Sequence, residues 1–436
     1  MRRILNIALI CALLLIATVA TRAEVIAIVG GRVVAGDGAV YDPGTVLIED
    51  GLILAVGAEV EVPDGAAVID ATGLWVWPGM IDPYTSLGLV EVGADRMTND
   101  SDEATAVATP QLRAADGINP YSALIPVSRL GGVTTVLVSP GGRNPINGQA
   151  AVVDLAGGTV EEMLVADGVA LVFNFGNRAA REGSYPSTRI GIVASIRQTL
   201  YDARRYGRQR EAALSRSDED SEEETAEGEG AQPVGPKTDL RYEALLPALR
   251  SEIQVICAAS ETQEIRSALA VAEEFGLQVI LLNPAHAYRM LDEIERRGVP
   301  VLLGNTFRMP AQTERYDRYY SLAATLHEAG IPFAFTTGSA HGVRTLRTHA
   351  GMAVAFGLPE EAAVAALTLQ PARILGIDDR AGSLAPGKVA NVVLWNGNPL
   401  QNRSRVVRLF IRGEEVPPAS RQELLRDRFS RESDGQ

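Results

Sequence analysis

Four histidines, His286, His327, His341 and His349, and one cysteine beyond the N-terminal apolar run, Cys257, are the side chains in these 436 residues best suited to proton transfer or nucleophilic attack. His327 and His349 sit within helical stretches, where a helix-surface or core role accounts for them. His286 follows Asn283-Pro284 at a helix start. His341 lies three residues past Gly338, on a loop that follows an apolar strand run. Ser339 beside His341 would supply a nucleophile and a base, although no third group is identifiable to orient the imidazole. Cys257 closes a β-run and serves equally well as plain core. The stretch Gly141 to Gln149 is a glycine-rich loop after a strand, able to turn backbone N–H groups toward an anion. It lacks the Lys-Ser/Thr pair of a phosphate-binding loop, so it reads as a pocket rim.

The elements that must hold these residues follow from periodicity. Between Asp82 and Gly376, β-branched apolar runs (132–138, 169–173, 253–257, 279–282, 299–304, 332–336) alternate with helical stretches at 262–275, 285–296, 319–329 and 359–369, several ending in glycine. That alternation is the signature of a parallel α/β domain. Each strand run ends in small or polar residues, which places His286, Ser339 and His341 beyond strand C-termini. Upstream, short strands punctuated by Gly, Asp and Pro, with Asp50-Gly51 as a hairpin turn, form a small β-unit that needs a partner sheet.

The totals narrow the function classes. With 46% hydrophobic residues and a mean hydropathy of +0.06, the chain has enough core for a barrel of roughly 250 residues and a companion domain. A formal charge of −14 and a pI near 4.9 speak against a nucleic-acid partner. Met1 to Ala23 has basic, apolar and small-residue zones in signal-peptide order, so residues 1–23 are expected to be removed and the protein to be secreted or periplasmic; a retained anchor is the alternative. Only Cys257 then remains, and no internal disulfide can form. Eight acids in the twelve residues from Asp218 to Glu229 mark 215–237 as a solvated, disordered insertion.

The stretch Pro78-Gly79-Met80-Ile81-Asp82, with Tyr84 and Ser86 after it, resembles the amidohydrolase superfamily, in particular its secreted imidazolonepropionase-like members, as do 131–153, 366–376 and 382–394. The resemblance implies a (β/α)8 TIM-like barrel (78–377) inserted in a composite β-sandwich (24–77 and 378–418), with 419–436 as a polar tail. It also implies metal-ligand places after barrel strands one, five, six and eight, which hold Tyr84, Ser86, Ala258, Asn283 and Gly338. The family's bridging lysine has no counterpart, because the only lysines are Lys237 and Lys388. The expectation is therefore a degenerate metal centre without a cofactor, in a non-catalytic or weakly active protein that binds a small molecule or partners a related active amidohydrolase. The rivals are an active hydrolase of a cyclic amide or peptide-like substrate, with a non-standard site or one divalent metal such as zinc, and a structural assembly subunit, with homo-oligomerisation open in each case.

Overall fold

The computed structural model describes residues 25–223, 237–304, 306–310 and 314–433. The expected signal peptide and the stretch 224–236 of the acidic insertion lie outside them.

Five strands open the chain: β1 (Ile26–Val34), β2 (Val40–Glu49), β3 (Leu52–Gly57), β4 (Ala67–Asp70) and β5 (Trp75–Pro78). The β2–β3 turn is Asp50-Gly51, both residues at positive φ (50° and 78°), the geometry that a two-residue hairpin needs. The next eight strands are β6 (Met80–Thr85), β7 (Val133–Val138), β8 (Ile146–Asp154), β9 (Leu164–Asn174), β10 (Gln254–Ala258), β11 (Val279–Leu282), β12 (Val301–Leu303) and β13 (Phe333–Phe335). They lie side by side in chain order as a nearly closed barrel. The last three, β14 (Val392–Trp395), β15 (Val406–Ile411) and β16 (Glu414–Glu415), return to the first sheet. There β14 pairs antiparallel with β5, Val392 opposite Pro78 and Trp395 opposite Trp75, so the two chain ends share one sheet.

The barrel departs from strict β/α alternation at one strand. β7 and β8 are antiparallel, as are β8 and β9, while the other neighbours within the sheet run parallel. Seven strands thus share a direction and β8 is reversed, and the glycine-rich loop that reads as a rim is the β7–β8 hairpin connection at the C-terminal end of β7. Reading 141–149 as loop hid the first half of β8, because Gly148 and the polar pair Asn147 and Gln149 weaken its β pattern.

Barrel strands contribute Ile81, Leu137, Val152, Val172, Ile256, Ile280, Leu302 and Ala334 to one apolar cluster, joined by Ala372 and Ile374 of the helix Leu369–Leu375. Alternate strand residues, including Val136, Leu171, Val255, Cys257, Leu281 and Phe335, pack outward with the surrounding helices. The helix Thr262–Phe275 ends at Gly276 with φ 72°, as its trailing glycine indicates. The expected helix at 285–296 divides into a 3-10 turn at Ala287–Arg289 and the helix Leu291–Arg296.

Two further segments differ from the sequence reading. The helix Arg189–Glu223 runs on through the first part of the insertion, and Arg210 and Glu211 on it pair with Glu243 and Arg250. The polar tail contains the helix Arg421–Ser433, started by a capping box in which Ser420 N donates to Glu423 Oε2 (2.9 Å) and Glu423 N to Ser420 Oγ (3.4 Å).

Candidate functional site

The seam between the first and last barrel strands is closed by side chains. Asp82 is fully buried. Its Oδ1 accepts from Thr336 Oγ1 at 2.6 Å and from the N–H groups of Thr337 (3.2 Å) and Tyr84 (3.3 Å), and its Oδ2 accepts from Thr337 Oγ1. Thr336 Oγ1 also lies 2.7 Å from the Tyr84 carbonyl, which accepts from Gly338 N at 3.0 Å. Burial raises the Asp82 carboxyl to about 6, against the four hydrogen bonds that favour its ionised form. Asp82 therefore ties β6 to the segment after β13 and turns its carboxylate away from solvent.

Beyond that seam the strand ends form the barrel mouth. Tyr84 and Ala258 pack on the inward-facing apolar cluster. Burial pushes the Tyr84 phenol up; the Ser139 hydroxyl and the Arg178 charge oppose it, and the Asp102 charge adds to it. Asp102 pairs with Arg178 through Oδ2 (3.6 Å), while its Oδ1 is buried without a hydrogen-bond partner. Ser86 Oγ accepts from Ala340 N at 3.3 Å. Asn283, at φ 54°, accepts from Gly304 N through Oδ1 at 2.8 Å. Gly338, at φ 63°, has open space where a side chain would stand.

On the β10–β12 side of the mouth lies a cavity of about 90 Å³ bordered by Ser260, Asn283, Gly304, Thr306, Arg308 and Tyr319. Arg308 stacks on the Tyr319 ring at 4.4 Å and lies 3.4 Å from Ser260 Oγ. Burial and the Glu314 carboxylate push Tyr319 up to about 12. Thr306 Oγ1 is 2.6 Å from His349 Nδ1, and burial lowers His349 to about 4, so it is neutral at physiological pH.

The structure thus gathers Tyr84, Ser86, Ala258, Asn283 and Gly338 at one face, together with Ser139, Asp102, Arg178, Arg308 and Tyr319. His286 stands beside it, half-buried, with Nδ1 3.4 Å from Thr262 Oγ1 and Nε2 3.4 Å from Glu314. Two other site candidates fall away. Cys257 points outward into the strand–helix layer, and burial pushes its thiol up, so it is core and not a nucleophile. His341 is exposed on the loop after β13, and among the described residues no hydrogen bond joins its ring to the Ser339 hydroxyl. Asp102, Arg178 and Arg308 were missed because they lie on the long loops beyond the strand ends, where periodicity gives no position, and Tyr319 because the expected helix at 319–329 begins only at Leu322.

The side chains at the five ligand places do not fit a divalent pair. Ala258 and Gly338 offer no donor atom, and the oxygens of Ser86 and Asn283 already accept from backbone N–H groups. Among the described residues no three His, Cys, Asp or Glu side chains converge as a metal site would require.

A parallel barrel with one reversed strand, a companion sheet made from both chain ends and a polar mouth at the strand C-termini define an amidohydrolase scaffold, and comparison with known proteins bears this out. Residues 318–416 match the model of the Amidohydrolase family. The crystal structure of an amidohydrolase from Thermotoga maritima MSB8 superposes with a TM-score of 0.80 at 31% identity, covering 90% of this chain and 99% of that one. The chain belongs to the amidohydrolase family. An amidohydrolase of Hapsidospora irregularis is 28% identical over 87% of this chain, which spans 40% of that protein's length. The imidazolonepropionase of Mesorhizobium japonicum is 24% identical over 83% of this chain and 88% of its own.

Proposed function

We propose that this protein is a secreted or periplasmic amidohydrolase-type barrel that binds a small molecule at its mouth without the family's metal pair, as a weakly active or non-catalytic partner of a related active enzyme. The observation that carries the reading is the engagement of the side chains at the ligand places. Ser86 and Asn283 spend their oxygens holding the strand ends, and Asp82 is consumed by Thr336 and Thr337. Neutral hydroxyl and amide oxygens are poor ligands for zinc, and here they are turned toward backbone N–H groups. What remains is a polar mouth with Arg178 beside Asp102 and Arg308 over Tyr319, suited to a compact ligand with acceptor groups.

A second reading rests on a different observation. Asp102 Oδ1 is buried without a partner near Tyr84, an arrangement that could orient water against a cyclic amide in a chain whose relatives include an imidazolonepropionase.

Elemental analysis of protein purified without chelator tests the first reading, and assay of the metal-free protein against cyclic amides, with Asp102→Asn as control, tests the second. The first reading expects well under one equivalent of zinc, manganese or iron, and no rise in melting temperature when these ions are added, because a ion bound only by the folded state must stabilise it. A stoichiometric metal, with hydrolysis of a cyclic amide abolished by chelator, overturns it.

A further inference from the structure

A cavity of about 280 Å³ lies away from the mouth, where the companion sheet meets the helices Glu360–Leu367 and Leu369–Leu375. Val34 and Val40 from the sheet, Val364 and Leu369 from the helices and the rings of Trp75 and Trp77 supply its apolar walls, and Gln370, Arg373 and Asn398 border it with polar groups. Two donors in those walls have no acceptor. Trp77 is 1% exposed, yet its Nε1 is buried without a partner, and so is Arg32 Nε. A buried orphan donor costs about 1–3 kcal/mol, so two of them bordering one cavity call for an acceptor inside it.

The guanidinium is held ready for that role. Arg32 stacks on Trp75 at 4.8 Å and is fixed by Asp42 through Nη1 (2.8 Å), while its buried Nε has no acceptor. The rim carries the opposite chemistry. Asp37 and Glu361 border the cavity with Glu360, and Gly38 comes so close to Glu361 that a Cβ there would stand 3.1 Å from its Oε1. Donors inside, carboxylates at the rim and branched or aromatic walls between them describe a compact zwitterion.

We infer that this interdomain cavity binds a free apolar α-amino acid, its carboxylate on Arg32 Nε and Trp77 Nε1, its ammonium toward Asp37 and Glu361, and its side chain against Trp75, Val364 and Leu369. The site is independent of the barrel mouth and of any activity there. Its volume suits one amino acid and lies just below the range usual for larger organic ligands.

Calorimetric titration of the intact protein with L-leucine and L-phenylalanine tests the assignment, with quenching of tryptophan fluorescence as a second readout, because two of the three tryptophans border the cavity. Saturable binding of at least one is expected, with at least tenfold weaker binding of the N-acetyl and decarboxylated analogues. Trp77→Phe keeps the ring and removes the N–H, and should weaken binding about fivefold, the worth of one hydrogen bond. Ala365→Leu fills the cavity from a half-buried helix position and should abolish binding, which keeps the test decisive if the Trp77 variant folds poorly. Arg308→Gln, at the mouth, should leave it unchanged. No binding of either amino acid at 10 mM (about 100-fold above a 0.1 mM Kd), equal binding of the analogues, or binding lost in Arg308→Gln and kept in Ala365→Leu would each overturn the inference.

Discussion

Asn391 sits against a buried carboxylate, and what its neutral amide contributes can be tested by replacing it with an acid. Asn391 Nδ2 donates to Asp154 Oδ1 and to Thr135 Oγ1, each at 3.2 Å, while its Oδ1 accepts from Arg412 N at 2.9 Å. Asp154 is 2% exposed, burial raises its carboxyl, and its Oδ2 has no partner. Asn391→Asp keeps the acceptor for Arg412 but sets a second carboxylate against Asp154. Two unit charges about 4 Å apart repel by roughly 4 kcal/mol at an effective dielectric constant near 20. Keeping one proton on the pair at pH 7 costs about the same, since holding a carboxyl protonated three units above its ordinary value requires roughly 4 kcal/mol. The nearby charges of Arg380 and Arg412 offset part of this. The variant should therefore lose about 3–4 kcal/mol at pH 7.5. The native pair binds more protons than the unfolded chain, so its stability falls as pH rises above the unfolded carboxylate range, and the deficit should shrink toward pH 5. Urea melts of wild type, Asn391→Asp and the exchanged double variant Asp154→Asn/Asn391→Asp at both pH values measure it, with the double variant recovering most of the loss. A single variant within 0.5 kcal/mol of wild type at pH 7.5 (against the roughly 4 kcal/mol expected), or a deficit that does not change with pH, would refute the account.

Two further outcomes follow from the seam and the insertion. Asp82, raised to about 6, holds its proton in the native state across the window from about pH 4 to 6 in which the unfolded chain has lost it, so it should withdraw about 3 kcal/mol of stability as pH rises through that window; Asp82→Asn should flatten the pH dependence of the melt between pH 4.5 and 7.5, and an unchanged slope would show that Asp82 is not the titrating group. Replacing 216–236 by a short Gly–Ser linker leaves the Arg210–Glu243 and Glu211–Arg250 pairs in place and should change the melting temperature by less than about 2 °C, roughly 1 kcal/mol or less; a larger drop in differential scanning fluorimetry would mean that the replaced segment packs on the barrel.

Much of the scaffold was legible because the residues that specify it act locally. Asp50-Gly51 sets its turn through positive φ at both residues, Gly276 ends its helix in the left-handed region, and the apolar runs at 253–257 and 279–282 are buried on both faces as parallel strands require. The strand ends also put Tyr84, Ala258 and Asn283 at one face, since position along a barrel strand is a one-dimensional quantity that a sequence carries. What was not legible depended on partners far away in the chain. The reversal of β8 is fixed by pairing with both β7 and β9, and the outward turn of Cys257 by the parity of a strand whose start is uncertain by a residue, a shift that exchanges the two faces.

The seam shows how this barrel is closed without a metal bridging its first and last strands. Within its sheet the barrel pairs β6 through β13 in order, and β13 meets β6 through the bonds of Asp82, Thr336 and Thr337 rather than a continuous strand ladder. The same few positions that present a mouth at the C-terminal ends also carry the closure: Gly338 N reaches the Tyr84 carbonyl and Ala340 N reaches Ser86 Oγ. Tyr84, Ser86 and Gly338 thus help to hold the first and last strands together, and Asn283 ties β11 to the end of β12 through Gly304 N. A side chain recruited to close the barrel stabilises the fold whether or not the mouth performs hydrolysis. Because the same positions serve closure and border the mouth, a substitution there is read out in stability as well as in whatever the mouth binds.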